Sequence, residues 1–304
     1  MPKPLRIAFI GNCQVQTYDV LTRRMLPHSD VISLDFSEQA SRDEALRRNF
    51  STGLDGCDHI FLHTNGFSYT GEAFLEPLYP DRLVKIANFY FRGLHPDSCY
   101  VGDFEHRFTE PTAVNSLLVL EAFTRGLSEQ EALEAFAPAS YQRLGLFDAW
   151  RSSMEEMRRR DAQVDLAGAE IMEACSRRYP SFWTMNHPSI PFLKEYLGRV
   201  FDLLGIRWQD FDTAGMIDPM CVHDTVPIAD EIAEHFRLPY RTTQRWKINS
   251  LNQRFVDRRE FVGRFYAAYA AAPPERLKVH SPTDLVERLG DSPEFRHLVA
   301  EERR

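Results

Sequence analysis

Apolar and polar positions in the first third of the chain change period in a regular order. The run Leu5-Arg6-Ile7-Ala8-Phe9-Ile10 is short and nearly all apolar, as befits a strand buried on both faces. From Val15 to Met25 the apolar residues return at helical spacing, and Pro27 supplies a stop. The same reading predicts a second strand over residues 31–36, a polar helix over 38–49, a third strand over 59–62, a helix over 72–79 and a fourth apolar run over 83–91. Strand alternating with helix implies a mostly parallel sheet covered on both faces. Right-handed crossovers would bring every strand end to one edge.

From about residue 110 the pattern turns helical, with helices predicted over 117–123, 128–136, 150–160, 166–179, 192–204, 228–236, 261–271 and 282–289. Ser128 and Glu131 fit a capping box, and Ser189 with Pro191 reads as the N-cap and first turn of another helix. No internal repeat or low-complexity linker interrupts the chain. The expected architecture is an α/β class protein. Residues 1–110 are expected to form a mostly parallel, flavodoxin-like core, and 111–304 a largely α-helical lobe packed on it.

At the first strand-to-helix handover stands Gly11-Asn12-Cys13-Gln14. In open α/β sheets such handovers lie at the carboxyl ends of strands, where ligands bind. A dinucleotide fingerprint fails there, because its second and third glycines would fall on Cys13 and Gln16. A G-x-x-x-x-G-K-[ST] phosphate loop is absent too. A cysteine at a helix start is in a nucleophile's environment, since the dipole and the early N–H groups favour a thiolate or a developing oxyanion. The same residue type also serves as a small buried apolar group. Asn12 and Gln14 flank it with amides able to bind an anion or carbonyl, or to shape a turn.

Composition narrows the function classes. The chain has 304 residues, 43% of them hydrophobic, enough for a full core. Its formal charge of -8 disfavours a general nucleic-acid role. No apolar run approaches the roughly 20 residues of a membrane span, and no apolar signal core follows Met1 to Arg6, so a cytoplasmic protein is expected. Cys13, Cys57, Cys99, Cys175 and Cys221 are odd in number and scattered, which argues against a disulfide framework or a structural metal.

Other polar groups are expected at the same edge. His63 and Asn65 follow the third strand, and the fourth is followed by Phe91-Arg92-Gly93-Leu94-His95-Pro96-Asp97, where Asp97 can orient an imidazole or cap a turn. Thr184-Met185-Asn186-His187-Pro188-Ser189 precedes a helix, and His187 is the general-base candidate, because histidine titrates near neutrality. Arg241 to Lys247 offers cations for phosphates, Arg245 and Lys247 among them, and Trp246 for stacking. Arg158-Arg159-Arg160 reads as an exposed helix face.

Taken together, Gly11-Asn12-Cys13-Gln14, Gly93-Leu94-His95-Pro96-Asp97 and Asn186-His187-Pro188 resemble the WcbI family of polysaccharide biosynthesis enzymes. The likeness spans most of the first two hundred residues; no motif matches after about residue 210. It implies a coenzyme A-binding acetyltransferase of capsule assembly that acts on a sugar hydroxyl, on an α/β core somewhat like that of SGNH esterases. Gly11, Asn12, Cys13, Gln14, His95, Asp97, Asn186 and His187 would form its site. Cys13 would then either carry the acetyl group or only support the acyl oxygen while His187 activates the acceptor. Two further readings compete: an SGNH-like carbohydrate esterase with a cysteine nucleophile, and a non-catalytic carbohydrate or acyl-carrier binding protein.

Overall fold

A computed structural model describes residues 4–35, 53–64, 75–103, 106–222, 224–248, 252 and 254–299. The helix expected over 38–49, part of that over 72–79, and Asn65 lie outside the described residues. Four strands, β1 (Arg6–Gly11), β2 (Asp30–Asp35), β3 (His59–Thr64) and β4 (Leu83–Ala87), pair in parallel in the order β2-β1-β3-β4. Helix α1 (Val15–Met25) has the bounds its periodicity predicts. There follow β5 (Ser98–Val101), β6 (Asn115–Ser116), α2 (Leu117–Thr124), α3 (Glu129–Glu134), α4 (Pro138–Arg143), α5 (Ala149–Asp161) and α6 (Ala169–Ser176). The remainder comprises β7 (Phe182–Thr184), β8 (His187–Pro188), α7 (Ile190–Leu203), α8 (Asp230–His235), β9 (Trp246–Ile248), β10 (Arg254–Val256), α9 (Arg258–Ala271), β11 (Val279–Ser281) and α10 (Thr283–Asp291).

Contacts gather these elements into two compact units, each built from separated stretches: 1–90, 154–177 and 187–220 in one, 91–153, 178–186 and 221–304 in the other. This grouping differs from the single division expected at residue 110. The reason lies at β4. Lys85 N donates to Asp165 Oδ2 (2.7 Å) and Asp165 N to Lys85 O (2.9 Å), while Ala87 N donates to the Tyr196 hydroxyl (2.9 Å). Later segments therefore return to satisfy the strand, and no periodicity reports which strand a distant segment will cover.

In the first unit the strands alternate their side chains between two faces. Ala8, Ile10, Ile60 and Leu62 pack with Leu54, Cys57, Leu75 and Tyr79 on one side. On the other, Phe9 stacks on Tyr18 of α1 (5.4 Å between ring centroids) and on Phe61 (5.0 Å), and Phe61 meets Phe201 of α7 (6.1 Å). Each such ring contributes roughly 1.5–3 kcal/mol on burial. Both α1 and α7 thus lie over the Phe9 face, against each other.

The second unit is not purely helical. It contains an antiparallel sheet ordered β11-β5-β6 and a β9-β10 ribbon, beside helices that include α2, α3, α8, α9 and α10. The capping box at Ser128 and Glu131 forms at the start of α3 as its spacing predicts. Among the described residues, no helix is long and apolar enough to cross a membrane.

Candidate active site

The turn Gly11-Asn12-Cys13-Gln14 leaves the carboxyl end of β1 and leads straight into α1. Its two amides brace it in different directions. Asn12 Nδ2 donates to Asn88 Oδ1 (2.9 Å), and Asn12 Oδ1 accepts from Gln14 N (3.1 Å). Gln14, fully buried, clasps the backbone of Phe89: its Nε2 donates to Phe89 O (2.8 Å) and its Oε1 accepts from Phe89 N (3.2 Å). Gln14 is therefore a brace and is not placed to touch a ligand, whereas Asn12 and Cys13 are half-exposed.

The early N–H groups of α1, expected to serve an oxyanion, are engaged by the turn itself. Val15 N donates to Asn12 O (3.0 Å), Gln16 N to Cys13 O (3.2 Å) and Thr17 N to Gln14 O (3.1 Å). What α1 still offers Cys13 is the positive end of its dipole.

His63 lies beneath the turn. It emerges from β3 on the Phe9 face, its ring 5.5 Å from Tyr18 in an edge-on arrangement, and neither ring nitrogen has a hydrogen-bond partner among the described residues. Burial pulls its pKa down to about 3, so it is a neutral imidazole. The ring fits only because residue 11 is glycine: a Cβ there would sit 2.3 Å from His63 Nδ1.

His187 belongs to the same unit as Cys13, three residues before α7. Phe192, in the first turn of α7, packs edge-on against Phe89 (4.5 Å), the residue whose backbone Gln14 holds. The start of α7 and the Cys13 turn thus share one end of the sheet. Ser189 occupies the N-cap position without a side-chain cap bond. Asp218 does that work, accepting from Ile190 N (2.9 Å) and from Met220 N (2.9 Å).

Six other candidates, His95, Asp97, Asn186, Arg245, Trp246 and Lys247, fall in the second unit. Among the described residues Asp97 pairs with no imidazole. Its Oδ1 accepts from Leu118 N (2.8 Å), its Oδ2 from the Ser116 hydroxyl (2.6 Å) and its carbonyl from Leu117 N (2.8 Å), so it clamps the start of α2. His95 is buried with Nε2 at 3.2 Å from Phe182 O, and burial lowers its pKa to about 4. The loop between Arg92 and Asp97 is held by Arg92, itself buried, which donates to Pro96 O (2.7 Å) and pairs with Asp284 (2.8 Å). Asn186 Oδ1 accepts from the Thr184 hydroxyl (3.0 Å).

The expected phosphate-binding run is also redirected. Trp246 is buried and stacks on Phe261 (4.7 Å), and Lys247 is buried with Nζ donating to Cys221 O, which leaves Arg245 exposed. All three residues of β9 are buried, so alternation does not account for this, and α9 supplies an aromatic partner for Trp246 that no local pattern announces.

These buried groups give the protein a defined acid response. Asp97 is raised by burial to about 6, so its contribution to stability is full below pH 4 and is lost as pH rises through 6. His63 and His95 are depressed, so theirs is full above pH 6.5 and is lost as pH falls toward 4 and 3. We expect stability to fall between pH 6.5 and 4, and Asp97→Asn to fall more steeply than the parent because it lacks the opposing gain. Denaturant unfolding at a series of pH values checks this; parallel curves for the two proteins would contradict it.

Two contributors were not apparent in the sequence. The apolar run over 83–91 predicts Asn88 inside a strand, but β4 stops at Ala87 and leaves Asn88 at a strand end, the usual place for ligand-side polar groups. The other is Arg160. It reads as part of an exposed triplet, yet Arg158 pairs outward with Glu170 (2.8 Å) and Arg159 with Glu156 (2.7 Å), while Arg160 turns inward with its side chain 12% exposed.

The sequence profile described as polysaccharide biosynthesis enzyme WcbI matches residues 6–209. No curated protein matches the chain. A solved structure, described as native WcbI, a novel polysaccharide biosynthesis enzyme without a disulfide bond between coenzyme A and one of its cysteines, is similar at 15% identity with a TM-score of 0.66. The match covers 89% of this chain and 91% of that one, a likeness of fold.

Proposed function

The chain belongs to the WcbI family of polysaccharide biosynthesis enzymes, and from that premise we propose that it is a coenzyme A-dependent O-acetyltransferase acting on a carbohydrate hydroxyl. The observation that carries this reading is the Cys13 turn: a half-exposed thiol at the start of α1, held on both sides by amides whose bonds run to Asn88 and Phe89. A solved structure of this fold is described in terms of coenzyme A and a cysteine, which supports a thiol site for the same ligand here. The strand order β2-β1-β3-β4 supports a flavodoxin-like core, with Cys13 at the strand ends where such sheets bind ligands.

The Cys13 thiolate attacks the donor thioester carbonyl and expels the coenzyme A thiolate; the acceptor hydroxyl oxygen then attacks the acetyl carbonyl as its proton passes to His187, and the Cys13 thiolate leaves. Occupation of the early α1 N–H groups favours this covalent route over one in which the turn only cradles the acyl oxygen. Asn12 is the half-exposed amide beside the thiol. We assign His95 and Asp97 to supporting the loop and the start of α2, outside the chemistry.

Coenzyme A should raise the melting temperature with dose, because a ligand bound only to the folded state adds about 2.7 kcal/mol at a hundred times its Kd. No shift at millimolar coenzyme A would remove the main support for this assignment.

A further inference from the structure

Residues 88–90 run as a short strip past the end of β4, held along both edges by planar side chains within the first unit. On one edge Gln14 exchanges two hydrogen bonds with the backbone of Phe89. On the other, Arg160 donates through Nη1 to Asn88 O (3.1 Å) and through Nη2 to Tyr90 O (3.3 Å). In an extended segment alternate carbonyls point to opposite sides, so a guanidinium fork can read residues 88 and 90 while a carboxamide reads 89. Arg160 also packs an Nη against Met157 Sδ (2.9 Å), and Glu156 approaches its Nε at 3.4 Å. A guanidinium withdrawn this far from water is costly unless its donors are used. Here the strip takes up the two Nη groups, while Nε has no hydrogen-bond partner among the described residues.

What the strip delivers is the position of Asn88, whose side chain accepts from Asn12, one residue before Cys13. We propose that Arg160 is a positioning residue for Cys13, acting through the 88–90 strip to set the turn in which the thiol sits. The inference rests on the reading of Cys13 as the reacting group, but its test does not require acetyl transfer.

The test compares Arg160→Met and Arg160→Lys with the parent in two assays. The first follows iodoacetamide alkylation at Cys13 across pH by peptide mass spectrometry, with half-exposed Cys221 as an internal control. We expect Arg160→Met to change the Cys13 rate by about fivefold or more and to move its pH midpoint, leaving Cys221 unchanged, with Arg160→Lys intermediate because an ammonium lacks the planar fork. The second is acetyl transfer, where kcat should fall about tenfold with KM changed less than threefold. Should Arg160→Met fail to fold, the lysine variant carries the comparison. A folded variant whose Cys13 profile superimposes on the parent's would overturn the proposal. A shifted profile in a protein that never transfers acetyl would instead sustain Arg160's role and defeat the enzymatic assignment.

Discussion

Cys13→Ala should fold as the parent does and lose acetyl transfer by on the order of 10³-fold or more, the scale on which removing a nucleophile acts. The thiol is half-exposed, so little packing is lost and the stability change should stay within about 1 kcal/mol. Intact mass after incubation with acetyl-CoA gives the sharper reading: one acetyl adduct on the parent and none on the variant. A parent that transfers acetyl without ever carrying it would leave His187 acting directly on the acceptor and Cys13 in a supporting place. A variant that transfers at the parent rate would make the thiol a packing group. Release of acetate from sugar esters with no coenzyme A present would favour the esterase reading.

Gly11→Ala is the second large effect, and it acts on folding and site together. A Cβ at residue 11 would meet three atoms of His63: Nδ1 at 2.3 Å, Cγ at 2.6 Å and Cβ at 2.9 Å. These are not the tip of a flexible chain. The ring is buried against Tyr18, and its Cβ is fixed by β3, so either the strand or the turn must shift. Overpacking of this kind costs about 1–3 kcal/mol, and the displaced turn should cost activity as well. Denaturant unfolding measures the first. The double variant Gly11→Ala with His63→Ala should recover part of the loss, since removing the ring makes room and the two effects are coupled. Strictly additive losses would show that the clash is not the cause. The glycine is thus required for close approach, a different reason from the backbone freedom glycine usually supplies at turns.

Much of the first unit was legible because its signals are local. Short apolar runs located β1, β2, β3 and β4 to within a few residues, period-3.6 spacing located α1 at its observed bounds, and Ser128 with Glu131 announced a cap whose partners are three residues apart. The turn at Cys13 was visible for the same reason: a glycine-led handover from an apolar run to an amphipathic one. Its chemistry was harder to read. Asp97 sits two residues from His95 in sequence, but its carboxylate is taken by Ser116 and Leu118, some twenty residues on. Trp246 looked available for stacking until Phe261 of α9 covered it.

What the sequence determined by itself, then, is the alternation of elements and the residue types at their ends, because backbone preference and side-chain period act over a few residues. Which of three adjacent arginines turns inward, which distant segment closes β4, and which candidate histidines share a unit with Cys13 were decided only in the tertiary structure. Those outcomes depend on long-range competition for buried polar groups: Asn88 O and Tyr90 O needed donors, and Arg160 was the side chain that folding brought to them.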